Sequence, residues 1–246
     1  SKELTKEFKK KKMKIHTGVF VEKVEKVNDL MVITLNNGTT VEAAQVLSSV
    51  GRSPNLDGLD IEKGGVVLNE KGFIKTDELF KTNVEGVFAI GDCIPTPMLA
   101  HTAEHEGIVA VEQIAGMKVH KIDYLLNPGC IYCLPSIGSI GYRESTAIEK
   151  GIKIKTGKFP FSANGKAVAS NHTTGFVKVI IEEESHKIIG AHIIGYGATD
   201  LISEFLPAMK LGATAEDIVE SIHPHPTLCE ASLEAVLNSL GRTIHI

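Results

Sequence analysis

Apolar positions along the chain come in two textures. In the first they alternate loosely with charged residues. Ile15, Val19, Val21, Val24 and Val27 stand among lysines and glutamates; Asn28-Asp29 then interrupts, Leu30-Met31-Val32-Ile33-Thr34-Leu35 follows, and Asn36-Asn37-Gly38 leads into Thr39-Thr40-Val41. Asn-Gly between β-rich runs is a strong hairpin signal, so this stretch is predicted to be an antiparallel meander. In the second texture, short unbroken apolar runs stop at glycine, as in Gln45-Val46-Leu47-Ser48-Ser49-Val50-Gly51 and Val87-Phe88-Ala89-Ile90-Gly91-Asp92. Runs of that length suit buried strands.

Helical spacing is found in three places. Lys2 to Lys12 reads as an exposed helix whose only apolar marks, Leu4 and Phe8, lie at i, i+4. Leu99 to Ala115 reads as a helix with Ile108, Val111 and Ile114 along one side and Gly116 at the position past its end. Beyond Tyr124 the pattern changes. Strands are predicted at Cys130–Leu134, Ile154–Phe161 and Phe176–Ile181, the last pairing with Ile188–Ile194 across Glu183-Glu184-Ser185-His186. Helices follow at Ala198–Leu211, Ala215–Ile222 and Leu228–Leu240, the first expected to kink at Pro207. Strands first and helices afterwards make an α+β unit.

Composition narrows the function classes. The 246 residues carry 26 Lys+Arg against 30 Asp+Glu, a formal charge of −4, which gives no basic face for nucleic acid. Hydrophobic content of 43% and charged content of 23% are ordinary for a folded domain. No apolar run approaches the ~20 residues that span a bilayer, so no membrane partner is expected. The lysine-rich start has no apolar signal-peptide core, and four cysteines are too few for a secreted disulfide scaffold. A cytoplasmic protein is expected.

Five sequence features could carry chemistry. Cys130-Ile131-Tyr132-Cys133 has the spacing of a redox pair or half a zinc site, but it lies in a β-patterned run without a second pair, which favours structural cysteines. His101-Thr102-Ala103-Glu104-His105 could present two imidazoles on one helix face, yet no third ligand follows, and no metal is expected. Gly91-Asp92 ends an apolar run, where an aspartate could accept hydrogen bonds from sugar-type hydroxyls or could simply make a turn. Pro97-Met98-Leu99-Ala100-His101 opens a helix, whose positive end could face a ligand's partial negative charge. In His223-Pro224-His225-Pro226-Thr227-Leu228-Cys229-Glu230, a His and a Glu five apart could form an acid–base dyad. Equally, Thr227-x-x-Glu230 could be a capping box. The sequence holds neither a G-x-G-x-x-G nor a G-x-x-x-x-G-K-[ST] phosphate loop.

In order, Val50-Gly51-Arg52-Ser53-Pro54-Asn55, Val87–Asp92, Met98-Leu99-Ala100-His101 with Glu104 and Glu106-Gly107, Gly157–Asn164 and His225–Glu230 form a specific set. The set resembles the pyridine nucleotide–disulfide oxidoreductases, and within them the branch that oxidises dihydrolipoamide. The resemblance runs from about Met13 to the last residue. It implies an α/β fold with remnants of FAD- and NAD-binding Rossmann-like domains and a complete C-terminal α+β dimerisation domain. The implied boundaries are 1–79 for the end of the NAD domain, 80–122 for the returning segment of the FAD domain and 123–246 for the interface domain.

The implied cofactors are FAD and NAD. Asp92 would hold the flavin's ribityl chain, and the Met98, Leu99, Ala100 and His101 backbone would face its ring. Gly51 and Val19 would lie against NAD. His225 would be the acid–base, with Glu230 its partner, reaching across a homodimer to the other subunit's disulfide. The implied protein partner is the lipoyl domain of a 2-oxo acid dehydrogenase complex. The family's redox C-x-x-x-x-C is absent, so the chain reads as a C-terminal portion, inactive alone. A mercuric reductase would be expected to carry a vicinal Cys pair near the C-terminus, and Gly241–Ile246 has none. Another flavoprotein disulfide reductase, glutathione- or mercuric-reductase-like, an inert dimerisation fragment and a zinc protein using His101, His105, Cys130 and Cys133 are the alternatives.

Overall fold

The computed structural model describes residues 1–245, which divide into two compact units. One comprises Ile15–Ile122, and the other joins Ser1–Lys14 to the chain from Asp123 onward. Each unit is described by itself.

In the first unit β1 (Val21–Val27), β2 (Leu30–Leu35) and β3 (Thr40–Ala43) form the predicted antiparallel meander. Asn28 and Gly38 take positive φ at the two turns, a conformation their residue types tolerate. Helix α2 (Ala100–Ile114) ends at Gly116 in the left-handed conformation, as its spacing predicts. A small core gathers Ile74, Phe80, Ala89, Ile94, Val109 and Ala110.

Two expectations fail in this unit. The apolar runs at Gln45–Gly51 and Val87–Ile90 are not strands. Beyond Ala43 the first run is irregular, with Leu47 and Val50 92% and 94% exposed, and no strand among the described residues pairs with it. The second makes only an isolated bridge between Phe88 and Lys81. Composition makes a segment fit for a sheet interior, but a strand also needs neighbours for its backbone groups. The side of α2 that carries Ile108, Val111 and Ile114 is its outer one. Ile108, Val111 and Ile114 are exposed, while Thr102, Glu106, Val109 and Ala110 are buried. The helix is apolar on two sides, and spacing alone does not say which side is covered.

The second unit is built on five antiparallel strands in the order β4-β5-β8-β7-β6. They are β4 (Gly129–Ile131), β5 (Ser136–Gly141), β6 (Ile154–Pro160), β7 (Phe176–Glu182) and β8 (Ile188–Gly195). Short helices α3 (Glu144–Glu149) and α4 (Gly165–Ala169) lie between strands, and the terminal helix α1 (Lys2–Lys10) belongs to the same unit. The C-terminal helices are α5 (Ala198–Leu201), α6 (Phe205–Leu211), α7 (Ala215–Glu220) and α8 (Glu230–Ser239). Helix α8 lies over β6 and β7, and it does so closely. A Cβ on Gly157 would stand 1.9 Å from the carbonyl oxygen of Ala235, so only glycine lets the helix approach. The core below includes Phe159, Phe161, Val177, Val179, Ile193, Phe205, Ala231 and Ala235.

The predicted helix at Ala198–Leu211 is broken. Ile202–Glu204 tightens into a 3₁₀ turn between α5 and α6. Pro207 lies four residues past Ser203, where its ring crowds the carbonyl and its missing N–H leaves that oxygen without a helical partner. The kink expected at the proline therefore falls one turn before it. Strand β5 was not apparent from the pattern, because Ser136, Gly138, Ser139 and Gly141 dilute its apolar signal. Gly138 is there for contact, since a Cβ on it would lie 2.3 Å from the Ala198 carbonyl oxygen. Cys130 lies on β4 and Cys133 in the turn after it. Both are free, and Cys133 Sγ points to the Pro135 carbonyl oxygen at 3.1 Å. Among the described residues no three His, Cys, Asp or Glu side chains could together hold a metal ion. No helix there is long and apolar enough to cross a membrane.

Candidate active site

The segment between α7 and α8 carries the histidines. His225 Nδ1 lies 2.8 Å from Glu230 Oε1, at the start of α8. An ionised carboxylate only accepts, so the proton sits on Nδ1 and Nε2 keeps its lone pair. The His225 side chain is 78% exposed, and its Nε2 has no protein partner among the described residues. This is the geometry of an oriented base: one nitrogen fixed, the other presented outward.

The capping reading is half right as well. The Thr227 backbone N–H donates to Glu230 Oε2 at 2.9 Å, the return bond of a capping box. Its reciprocal does not form, and Thr227 Oγ1 donates to the Pro224 carbonyl oxygen at 2.7 Å. Helix α8 starts with Glu230 as its first residue rather than its third. One carboxylate thus does two jobs, Oε2 fixing the backbone and Oε1 the imidazole. Burial pushes the Glu230 carboxyl upward, but the Thr227 N–H and the His225 ring outweigh it and hold it below the usual carboxylate range.

The loop is fastened elsewhere too. Asn164 Nδ2 donates to the Thr227 carbonyl oxygen at 3.1 Å, while its Oδ1 caps α4 by accepting from the Ala167 N–H at 2.8 Å. One turn along α8, the buried Glu234 accepts from the Ile244 N–H at 3.1 Å and pairs with His245 Nδ1 at 2.5 Å. Burial raises the Cys229 thiol, with the nearby Glu204 carboxylate adding to the effect.

A second cluster lies in the Ile15–Ile122 unit. Asp92 sits in a 3₁₀ turn, Gly91–Cys93, pinned by a bond from the Gly91 N–H to Glu106 Oε2 at 2.7 Å. Gly91 has φ +70°, and a Cβ on it would press Ala103 at 3.1 Å, so turn and helix meet at close range. Arg52 bridges the site. Its Nη1 donates to Asp92 Oδ2 at 2.8 Å, and its Nη2 donates to the Met98 carbonyl oxygen. Arg52 was not singled out from sequence; the only hint was a cation directly after Gly51. Through it the loop at Gly51, where φ is +120°, reaches Asp92 and the entrance of α2. Met98 and Leu99 precede the helix, Leu99 capping it, and Ala100 and His101 form its first turn. Val19 is half-buried just before β1, and no bond links it to these residues among the described ones.

This cluster fits one side of a flavin cradle. The Asp92 carboxylate is about half exposed and keeps Oδ1 available to a hydroxyl donor, and the α2 N-terminus lies next to it in the fold. The four free cysteines of this chain contain no C-x-x-x-x-C pair.

Comparison with known proteins follows the same lines. Solved structures share the fold. LpdA of Mycobacterium tuberculosis superposes with a TM-score of 0.89 at 24% identity, covering 95% of this chain and 51% of that one. A hypochlorous-acid-induced flavoprotein disulfide reductase, RclA of Escherichia coli, gives 0.90 at 19% identity, covering 96% and 54%. Family models described as pyridine nucleotide-disulphide oxidoreductase and as its dimerisation domain match residues 1–107 and 127–236. The chain belongs to the pyridine nucleotide-disulphide oxidoreductase family, whose cofactors are FAD and NAD. Among its relatives are the dihydrolipoyl dehydrogenases of Bacillus subtilis, 44% identical over 99% of this chain, and of Geobacillus stearothermophilus, 43% identical over 99%. The chain spans about half the length of these relatives, 52% in each case.

Proposed function

We propose that this chain supplies the acid–base pair and the dimer-forming unit of an FAD-dependent enzyme that oxidises dihydrolipoamide with NAD⁺. The observation that carries the reading is the His225–Glu230 pair, with Nδ1 held at 2.8 Å and Nε2 turned outward. A free thiol has a pKa of about 8.5 and is mostly protonated at neutral pH, and only the thiolate attacks a disulfide. His225 Nε2 takes the thiol proton, Glu230 stabilises the imidazolium that forms, and the proton returns in the reverse direction. When bound, FAD carries the two electrons onward to NAD⁺.

In this reading Asp92 and the entrance of α2 hold the flavin, residues 80–122 serve the FAD domain and residues 1–79 serve the NAD domain, with Gly51 and Val19 against the nicotinamide dinucleotide. Residues from 123 onward form an isologous homodimer interface that brings His225 to the other subunit's disulfide. The substrate arrives on a lipoyl domain. The relatives' shared name supports the substrate, and the dimerisation-domain match supports the interface.

The test is turnover of dihydrolipoamide by the flavoenzyme that contains this chain. His225→Ala is expected to lower it by about 10²–10⁴-fold, the usual worth of a positioned general base. Unchanged turnover in that variant would sink the assignment.

A further inference from the structure

Two residues before His225, a second imidazole is held quite differently. His223 Nε2 lies 2.6 Å from Glu204 Oε1, and Nδ1 lies 2.9 Å from the Ser221 carbonyl oxygen. The side chain is 8% exposed, against 78% for His225. Both ring nitrogens therefore face oxygens that accept: the carbonyl always, the carboxylate whenever it is ionised. The two contacts together fix the ring's orientation and leave neither nitrogen turned to solvent. Glu204 Oε2 is buried and has no hydrogen-bond partner among the described residues, so the pair is closed to solvent on that side as well.

Its place in the fold gives the pair a use. Glu204 sits in the 3₁₀ turn between α5 and α6, and Ser221 caps the end of α7. His223 ties these two points together immediately before the loop departs towards His225. On the far side the loop is fastened by Thr227 Oγ1 to the Pro224 carbonyl oxygen and by Asn164 to the Thr227 carbonyl oxygen. What is left unfastened between these anchors is the outward edge of His225.

We propose that Glu204 and His223 are positioning residues, a closed pair that anchors the loop on which the neighbouring open pair exchanges a proton. This rests on the reading of His225 as the acid–base. Neither Glu204 nor His223 touches substrate; they fix the entry to the loop, while Glu230 fixes the ring itself.

The chain labelled with ¹⁵N-histidine, examined by long-range ¹H–¹⁵N correlation at mildly alkaline pH, tests this directly. His225 is expected to show a protonated Nδ1 and a bare Nε2, and His223 a single tautomer. A His223 ring that averages between both tautomers overturns the closed pair without any variant being made. Glu204→Gln keeps the shape but removes the carboxylate; His223→Gln keeps a donor towards Glu204 and loses the Ser221 bond. In each folded variant His225 is expected to populate both tautomers. In the assembled flavoenzyme kcat should fall by up to about 10²-fold at nearly constant KM, the scale associated with a ~1 Å misplacement. A single unchanged His225 tautomer together with unchanged kcat overturns the positioning role and leaves the acid–base reading intact. A wild-type His225 without a preferred tautomer counts instead against the acid–base reading.

Discussion

The two units handle similar apolar patterning in opposite ways. In the unit running from Asp123, strands β6, β7 and β8 turn Phe159, Val177, Val179 and Ile193 onto one face, and α8 covers that face down to backbone contact at Gly157. In the Ile15–Ile122 unit, Leu47, Val50, Ile108, Val111 and Ile114 are as apolar but face outward, and the core is a handful of side chains. Periodicity marks a face that can be buried; burial itself needs a partner element. The catalytic candidate sits on the self-contained unit, where its loop is fastened from several sides. The flavin-side candidates, Asp92 and the entrance of α2, sit on the sparsely packed one, where a buried carboxylate, Glu106, holds the turn.

Substitutions can sharpen or break this contrast, the largest effect being expected in the dense unit. Phe161 is fully buried there, and Phe161→Ala should cost about 3–5 kcal/mol, read from urea unfolding followed by β-sheet circular dichroism. In the sparse unit Glu106→Leu removes the acceptor for the Gly91 N–H and should cost about 1–3 kcal/mol while loosening the Asp92 turn. Ile108→Gln, on the exposed side of α2, should stay within about 0.5 kcal/mol of the parent. A cost for Ile108→Gln as large as that for Phe161→Ala would erase the distinction. Hydrogen exchange offers the same contrast without substitution, with slow amides in β7 and β8 and fast ones across Gln45–Gly51.

The smallest effect expected is on pH dependence. The Glu230 carboxyl lies below its ordinary value in the folded chain, so its ionised form is favoured by folding. Its contribution to stability is present above the unfolded carboxylate range, near ~4.3, and is lost as pH falls through the depressed folded value. Glu230→Gln should therefore be less stable than the parent at neutral pH, and the two should converge in acid. His192 acts in the same sense. Burial lowers its pKa against the opposing Tyr142 carbonyl bond, so stability should decline as pH falls below about 6.5.

Much of the fold was legible where its signals are local. The Asn37-Gly38 turn of the meander in the sparse unit, and the alternating runs and the spacing of Thr227 to Glu230 in the dense one, each lie within a few residues. Strand β5 was hidden because the glycines that let α5 approach it carry no apolar signal. The unpaired runs at Gln45–Gly51 and Val87–Ile90 were misread as strands because pairing is not a local property, and the spacing of α2 did not say which side is covered. In the site, His225 and Glu230 could be named from one short motif. The role of Glu230 as both cap and imidazole partner could not be chosen, since both readings use the same two residues. Arg52 meets Asp92 across 40 positions, and Glu204 meets His223 across 19, too far for spacing to reveal.

The central claim is that His225 Nε2 moves the proton of a substrate thiol. Its most direct test is chemical rescue, in which imidazole is titrated into the His225→Ala flavoenzyme during dihydrolipoamide turnover. Recovery that rises with the concentration of neutral imidazole and is absent in the parent is the predicted result. A variant that keeps its flavin and dimer but stays equally slow at every imidazole concentration would contradict the claim and reduce His225 to a structural role.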